Sequence, residues 1–114
     1  MKELSGENVL LRILLGESDK THGKQTYQAL VEMLRGEKIS GVTVLRGIMG
    51  YGAHSQPHTT SILRLSQDLP IVVEVVDSLE NIERVLPRIE QFVGGGLITM
   101  EKVRVIKYSD GNQS

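Results

Sequence analysis

Two short, nearly unbroken apolar runs, Asn8–Leu15 and Leu69–Val76, are each followed by a segment of helical periodicity, and this repeated succession constrains the fold more than any other feature. Runs of this length suit buried strands better than helices. After the first, Tyr27, Leu30, Val31 and Leu34 fall at i, i+3, i+4 and i+7, which predicts an amphipathic helix over Gly23–Arg35, stopped by Gly36. Val42–Met49, β-branched and closed by glycines, reads as the next strand. After the second run, Leu79, Ile82, Leu86, Ile89 and Val93 repeat the helical spacing. Asp77 and Glu80 form a D-x-x-E variant of the capping box there. Pro87 is expected to kink this helix and Gly94-Gly95-Gly96 to end it. Leu97–Tyr108 supplies the last strand before the polar tail SDGNQS.

The order β-α-β-β-α-β is the split βαβ pattern, an α+β ferredoxin-like sandwich. Its middle connection is long. Residues 50–60, GYGAHSQPHTT, have the composition of an exposed loop, and Ser61–Leu65 is a short strand-like run before Leu69. At 114 residues the chain is expected to form one domain, 1–114, with 109–114 as a flexible C-terminal tail. Three apolar strands in so short a chain leave the sheet face opposite the helices to be covered by something else, which predicts self-association with the sheets inward.

One Phe, three Tyr and no Trp imply an interior of Leu, Ile and Val. Thirteen Lys and Arg against fourteen Asp and Glu give a net charge of -1, so no overall field draws in a nucleic-acid backbone, and none is expected as partner. The absence of cysteine excludes disulfides, a thiolate nucleophile and cysteine-based metal sites. The apolar run Val9–Leu15 carries Arg12 and is too short to span a bilayer, so the expected compartment is the cytoplasm.

Four segments could carry chemistry. In GESDKTHGKQT, residues 16–26, the glycines are too far apart for a phosphate loop, and Gln25 separates Lys24 from Thr26. The plainer reading has Thr21 or Gly23 capping the following helix; the alternative has Lys20, His22 or Lys24 meeting a ligand or a neighbouring subunit. In RGIMGYG, residues 46–52, Gly47, Gly50 and Gly52 end a strand rather than open a helix. They fail as a dinucleotide fingerprint but could either expose backbone N–H groups to an anion or serve a bulge or twisted hairpin. His54 and His58 are two nitrogen ligands without a companion carboxylate, an incomplete metal site. Gly94–Gly96 precedes a strand bearing Lys102, Arg104 and Lys107, cations that could complement phosphate, although strand alternation keeps Arg104 and Lys107 off one face. Glu74 reads equally as a paired carboxylate or a general base, and no G-x-S-x-G or H-E-x-x-H motif occurs.

Taken together, GESDKTHGKQTYQALVEML, then GVTVLRGIMGYGAHSQPHTT with its Gly50-Tyr51-Gly52 and His54, then DLPIVVEVVD and VGGGLITMEKVRVIKY, resemble the PII-like family numbered 190 among domains of unknown function. The resemblance spans nearly the whole chain. It implies a PII-like trimer that binds an adenine nucleotide, ADP or ATP, in clefts between subunits. It also implies a loop, ordered by that ligand, which is presented to a target such as a membrane transporter or channel, and it implies a regulator rather than an enzyme. The residues it implicates are Gly41 and Thr43 at the start of the second strand, Arg46, Gly50, Tyr51 and Gly52 at the loop base, Gly94, Gly95 and Gly96 after the second helix, and Lys107 near the end. Two departures stand out: Leu97 follows Gly96 where the PII loop carries a lysine, and Tyr51 lies at the loop base, so uridylylation is not implied. The rival readings on the same fold are a metal-responsive protein using His54 and His58, and an acylphosphatase-like hydrolase, for which no convincing arginine and asparagine pair is present.

Overall fold

The computed structural model describes residues 4–52 and 68–111. His54, His58 and the run Ser61–Leu65 lie outside the described residues. The chain forms β1 (Gly6–Gly16), a two-residue hairpin β2 (Lys20–Thr21) and β3 (Lys24–Gln25), α1 (Thr26–Gly36), β4 (Gly41–Arg46), β5 (Pro70–Asp77), α2 (Leu79–Phe92) and β6 (Leu97–Val105). The four long strands make one antiparallel sheet in the order β4-β5-β1-β6. This is the α+β ferredoxin-like arrangement that the sequence predicts, with the hairpin as an addition.

The apolar runs become the two central strands because alternate residues of each can be buried on one side. Val9, Leu11, Ile13 and Leu15 of β1 and Ile71, Val73 and Val75 of β5 are buried against Leu30, Met33 and Leu34 of α1 and Ile82, Val85 and Ile89 of α2. These side chains form a single aliphatic core. Val85 belongs to it although the sequence pattern passed it over, while Leu79, counted with the helical stripe, is 48% exposed. The helical span of α2 continues through Pro87 to Phe92.

Several boundaries move for identifiable reasons. The first helix starts at Thr26, not Gly23, because His22 (φ 52°) and Gly23 (φ 79°) both take left-handed backbone and turn the hairpin that pairs Thr21 with Lys24. Thr21 is therefore not a helix cap: its hydroxyl shares a 2.7 Å hydrogen bond with that of Thr26 and donates to the Phe92 carbonyl. Nor does Gly23 cap α1, whose N-cap position is Gln25, without a side-chain cap. Lys24 pairs with Glu32 at 2.7 Å, and Lys20 and His22 are exposed. The second strand ends at Arg46 and the last at Val105, both earlier than the apolar pattern suggests.

The proposed D-x-x-E box is also replaced. Ser78 caps α2, accepting from the Asn81 N–H at 3.2 Å, so the working motif is S-x-x-N, one residue on. Asp77 instead lies fully buried and accepts from the Ser40 N–H (2.9 Å), the Ser78 N–H (2.7 Å) and the Asn81 side-chain amide (3.0 Å). Burial pushes this carboxyl upward, but the donors outweigh it, led by Asn81, and hold it below the usual carboxylate range. A buried charge that accepts from Ser40 on one side and from Ser78 and Asn81 on the other fixes the start of β4 against the end of β5.

Candidate functional site

Two clefts flank the open side of the sheet, and each gathers part of the residue set singled out from the sequence. The first, about 380 Å³, is bounded by Gly50, Tyr51 and Gly52 after β4, Gly95, Gly96 and Leu97 after α2, Leu14–Gly16 at the end of β1, and Asp19, Asp68 and Pro70. It joins two glycine segments more than forty residues apart in the chain.

Close backbone approach explains several of these glycines. A Cβ on Gly96, whose φ is +143°, would meet the Leu14 carbonyl oxygen at 2.4 Å, so the loop after α2 lies directly on β1. The Gly47 N–H donates to the Pro70 carbonyl at 2.7 Å, carrying β4 pairing one residue past its end, and Gly50 faces the same proline ring. None of Gly47, Gly50 and Gly52 has left-handed backbone, so the alternation that builds an N–H nest is not found there. Gly47 and Gly50 make room for close contact with Pro70 of β5, whereas a Cβ on Gly52 would meet nothing within 4 Å.

The turn after β1 completes this cleft. Glu17 N–H donates to Leu69 O at 2.8 Å, Gly16 N–H to Asp19 Oδ2 at 3.1 Å, and Ser18 N–H to Asp68 Oδ1 at 3.1 Å. Arg46, expected to face phosphates, is ion-paired with Glu17 and borders neither cleft. Gly94 also borders neither, and Lys20 and His22 stay on the hairpin.

The second cleft, about 490 Å³, collects Gly41, Thr43 and Lys107 with Leu4, Glu74, Val76, Val105, Ile106 and Tyr108. Since β6 ends at Val105, strand alternation does not extend to Lys107, which reaches the open-side cleft while Arg104 belongs to the helix-side row of β6. The Tyr108 hydroxyl donates to the Ser40 carbonyl, and Ser40 in turn donates its N–H to Asp77. The chain end thus crosses from edge strand β6 toward edge strand β4, on an anchor built from Asp77. That anchor was not recognised in the sequence, where Asp77 read as the cap of a D-x-x-E box; the S-x-x-N directly after it was the available signal.

Glu74 is a paired carboxylate. Arg12 on the neighbouring strand bridges it at 3.0 Å and Glu101 at 2.6 Å. The hydrogen bond to Glu74, then that to Glu101, raises the Arg12 pKa above its already high ordinary value and keeps the guanidinium charged.

On β5, Pro70 borders the first cleft and Glu74 and Val76 the second, so the clefts lie at opposite ends of the sheet with roughly 13 Å of strand between their nearest lining residues. One copy therefore gathers Gly50, Tyr51, Gly52, Gly95 and Gly96 at one end and Gly41, Thr43 and Lys107 at the other.

Residues 8–105 match the model of DUF190, a family described as an uncharacterized ACR. The chain belongs to this family. It is 41% identical over 99 residues to a UPF0166 protein of Methanocaldococcus jannaschii, covering 86% of this chain and 91% of that one. A UPF0166 protein of Aquifex aeolicus is 39% identical over 97 residues, covering 85% and 91%. Among solved structures, the DUF190 chain resembles CPII from Thiomonas intermedia K12 bound to ADP and bicarbonate, with a TM-score of 0.62, 17% identity and coverage of 87% and 88%. It also resembles CPII from the same organism bound to ADP, AMP and acetate, with a TM-score of 0.63, 16% identity and coverage of 92% of each chain. The fold of this DUF190 member is PII-like. Among the described residues no helix is long and apolar enough to cross a membrane, and no group of three or more metal-ligating side chains occurs.

Proposed function

We propose that this DUF190 protein is a trimeric regulator that binds an adenine nucleotide between subunits and so alters the surface that residues 50–60 present to a target protein, such as a membrane transporter or channel. The observation that carries the reading is the division of the implicated residues between two clefts at opposite ends of one sheet. A ligand that touches both groups needs the glycine cleft of one copy and the Lys107 cleft of another.

The open face of the sheet supports such an assembly. Leu45, Val72, Leu14 and Leu97 stand in register across all four strands, with Leu45 49% and Leu97 54% exposed. Leu10 and Val76 add a second aliphatic pair beyond the Arg12 network. Burying these rows against other copies removes apolar surface from water, a gain of about 25 cal/mol per Å². The CPII structures that share the fold contain ADP, which supports the choice of ligand class. We read the role as regulatory: Glu74, the carboxylate that could have served as a base, is committed to Arg12.

Light scattering of the dilute protein should give a three-chain mass, and calorimetric titration should detect adenine nucleotide with one site per chain. Lys107→Ala should weaken binding about tenfold or more if it removes a charge-assisted phosphate contact. A monomer, or a trimer that binds no adenine nucleotide, overturns the proposal.

A further inference from the structure

Resting on the nucleotide reading above, we infer that Tyr108 is a positioning residue for that site: its hydroxyl ties the chain end across the sheet and so holds Lys107 in the second cleft for the phosphate contact. The tie joins parts of the chain 68 positions apart, since the Tyr108 hydroxyl donates to the Ser40 carbonyl. The acceptor side is rigid. Ser40 donates its own N–H to the buried Asp77 at 2.9 Å, and Gly41, the next residue, opens β4 opposite Val76. Asp77 is held in turn by the Ser78 N–H at 2.7 Å and the Asn81 amide at 3.0 Å. The carbonyl that receives Tyr108 therefore belongs to the framework of sheet and helix.

On the other side, β6 ends at Val105, still opposite Gly6 of β1. Between Val105 and Tyr108 lie Ile106, 82% exposed, and Lys107, also exposed, so burial of side chains does not fix this stretch. Its two ends are fixed instead, by the strand ladder and by the Tyr108 hydroxyl. Points three residues apart can be separated by at most about 11 Å, which leaves the backbone between them little freedom.

Lys107 extends from that restrained backbone and lines the same cleft as Tyr108, Gly41 and Thr43. A Cβ on Gly41 would meet nothing within 4 Å, so the cleft is open beside the tie. A lysine on its flexible four-carbon stem gives up rotamer freedom when its ammonium meets a phosphate, and backbone that is already placed reduces what remains to be ordered. Without the hydroxyl the chain end beyond β6 is freer to swing from the sheet, and Lys107 goes with it.

The test is Tyr108→Phe, which removes the hydroxyl and keeps the ring. Without nucleotide, hydrogen exchange over residues 106–111 should be faster in the variant, while melting curves and light scattering show a folded protein of unchanged mass. Calorimetric titration with ADP should show affinity weakened about threefold to tenfold, as for the loss of one hydrogen bond. Lys107→Ala should weaken it about tenfold or more, and adding Tyr108→Phe to that variant should change nothing further. The double variant separates positioning from contact: a Tyr108 that touched the nucleotide directly would weaken binding in the Lys107→Ala background too, which overturns the inference. Unchanged exchange or unchanged ADP affinity in Tyr108→Phe, a Lys107→Ala variant that binds like the unaltered protein, or a Tyr108→Phe variant that falls apart into single chains also overturns it and leaves nucleotide binding standing. If the unaltered protein binds none of ADP, ATP and AMP, the nucleotide reading falls and this inference with it.

Discussion

The two faces of the sheet are built from the same strands and carry different chemistry. On the helix side, Leu11, Ile13, Val73 and Val75 are fully buried by side chains of the same copy. On the open side, the positions between them are Leu10, Arg12, Leu14, Val72, Glu74 and Val76, all only partly buried. An ion network lies in the middle, with aliphatic rows on either side. The helix side accounts for why the single chain folds. The open side has the mixed character that the proposed assembly would need, tolerating water in the separate copy and fixing a register between copies, because a charged cluster opposes sliding where an all-aliphatic face would not.

Truncation on each face separates these roles. Leu11→Ala should destabilise the fold most, by about 2 to 5 kcal/mol in denaturant unfolding, since its neighbours cannot fully collapse into the space. Leu45→Asp, across the sheet on the exposed row, should leave the far-ultraviolet circular dichroism unchanged while lowering the light-scattering mass to a single chain. If Leu45→Asp unfolds the chain, or leaves a three-chain mass, the division of labour between the faces is wrong.

Asp77 sharpens the comparison, because it is the polar member of the buried row of β5. Asp77→Asn should cost roughly 1 to 3 kcal/mol, as an amide has one acceptor oxygen and no charge where the carboxylate has two oxygens for its donors. The pH dependence has a defined sign. A carboxyl held low in the folded state stabilises above its unfolded value, near pH 4, and that stability is lost as pH falls through the lower folded value. The gap between native and variant midpoints should therefore close on acidification; a constant gap would mean that charge is not what Asp77 contributes. The smallest effect is expected away from both faces, at Glu37, where hydrogen bonds from Arg88 and then Arg84, both exposed, hold the partly exposed carboxyl low. Glu37→Gln should shift the melting midpoint little, and added salt should erase the difference.

The sheet and both helices were legible in the sequence because strand and helix periods leave direct traces in where Leu, Ile and Val fall. What escaped was set by local backbone conformation or by partners distant in sequence. The hairpin after β1 depends on left-handed backbone at His22, a residue that does not announce it. Asp77 looks like a cap until Ser40, thirty-seven positions earlier, is seen to donate to it. The glycine segments at 50–52 and 94–96 were legible as candidates, but their meeting beside β1 depends on the fold. Arg46, read from the sequence as a phosphate ligand, is ion-paired with Glu17 in the single chain, a partner twenty-nine positions away.

The contact between Gly96 and the Leu14 carbonyl has a consequence for how this loop can vary. A Cβ at Gly94 meets nothing within 4 Å, whereas at Gly96 it would enter β1 itself. In a saturation library scored for folding, position 94 should therefore accept many replacements and position 96 almost none. Two identical residues separated by one bond pair would behave as a free site and a locked one, so the loop can change its outward chemistry at Gly94 while its attachment to the sheet stays constant.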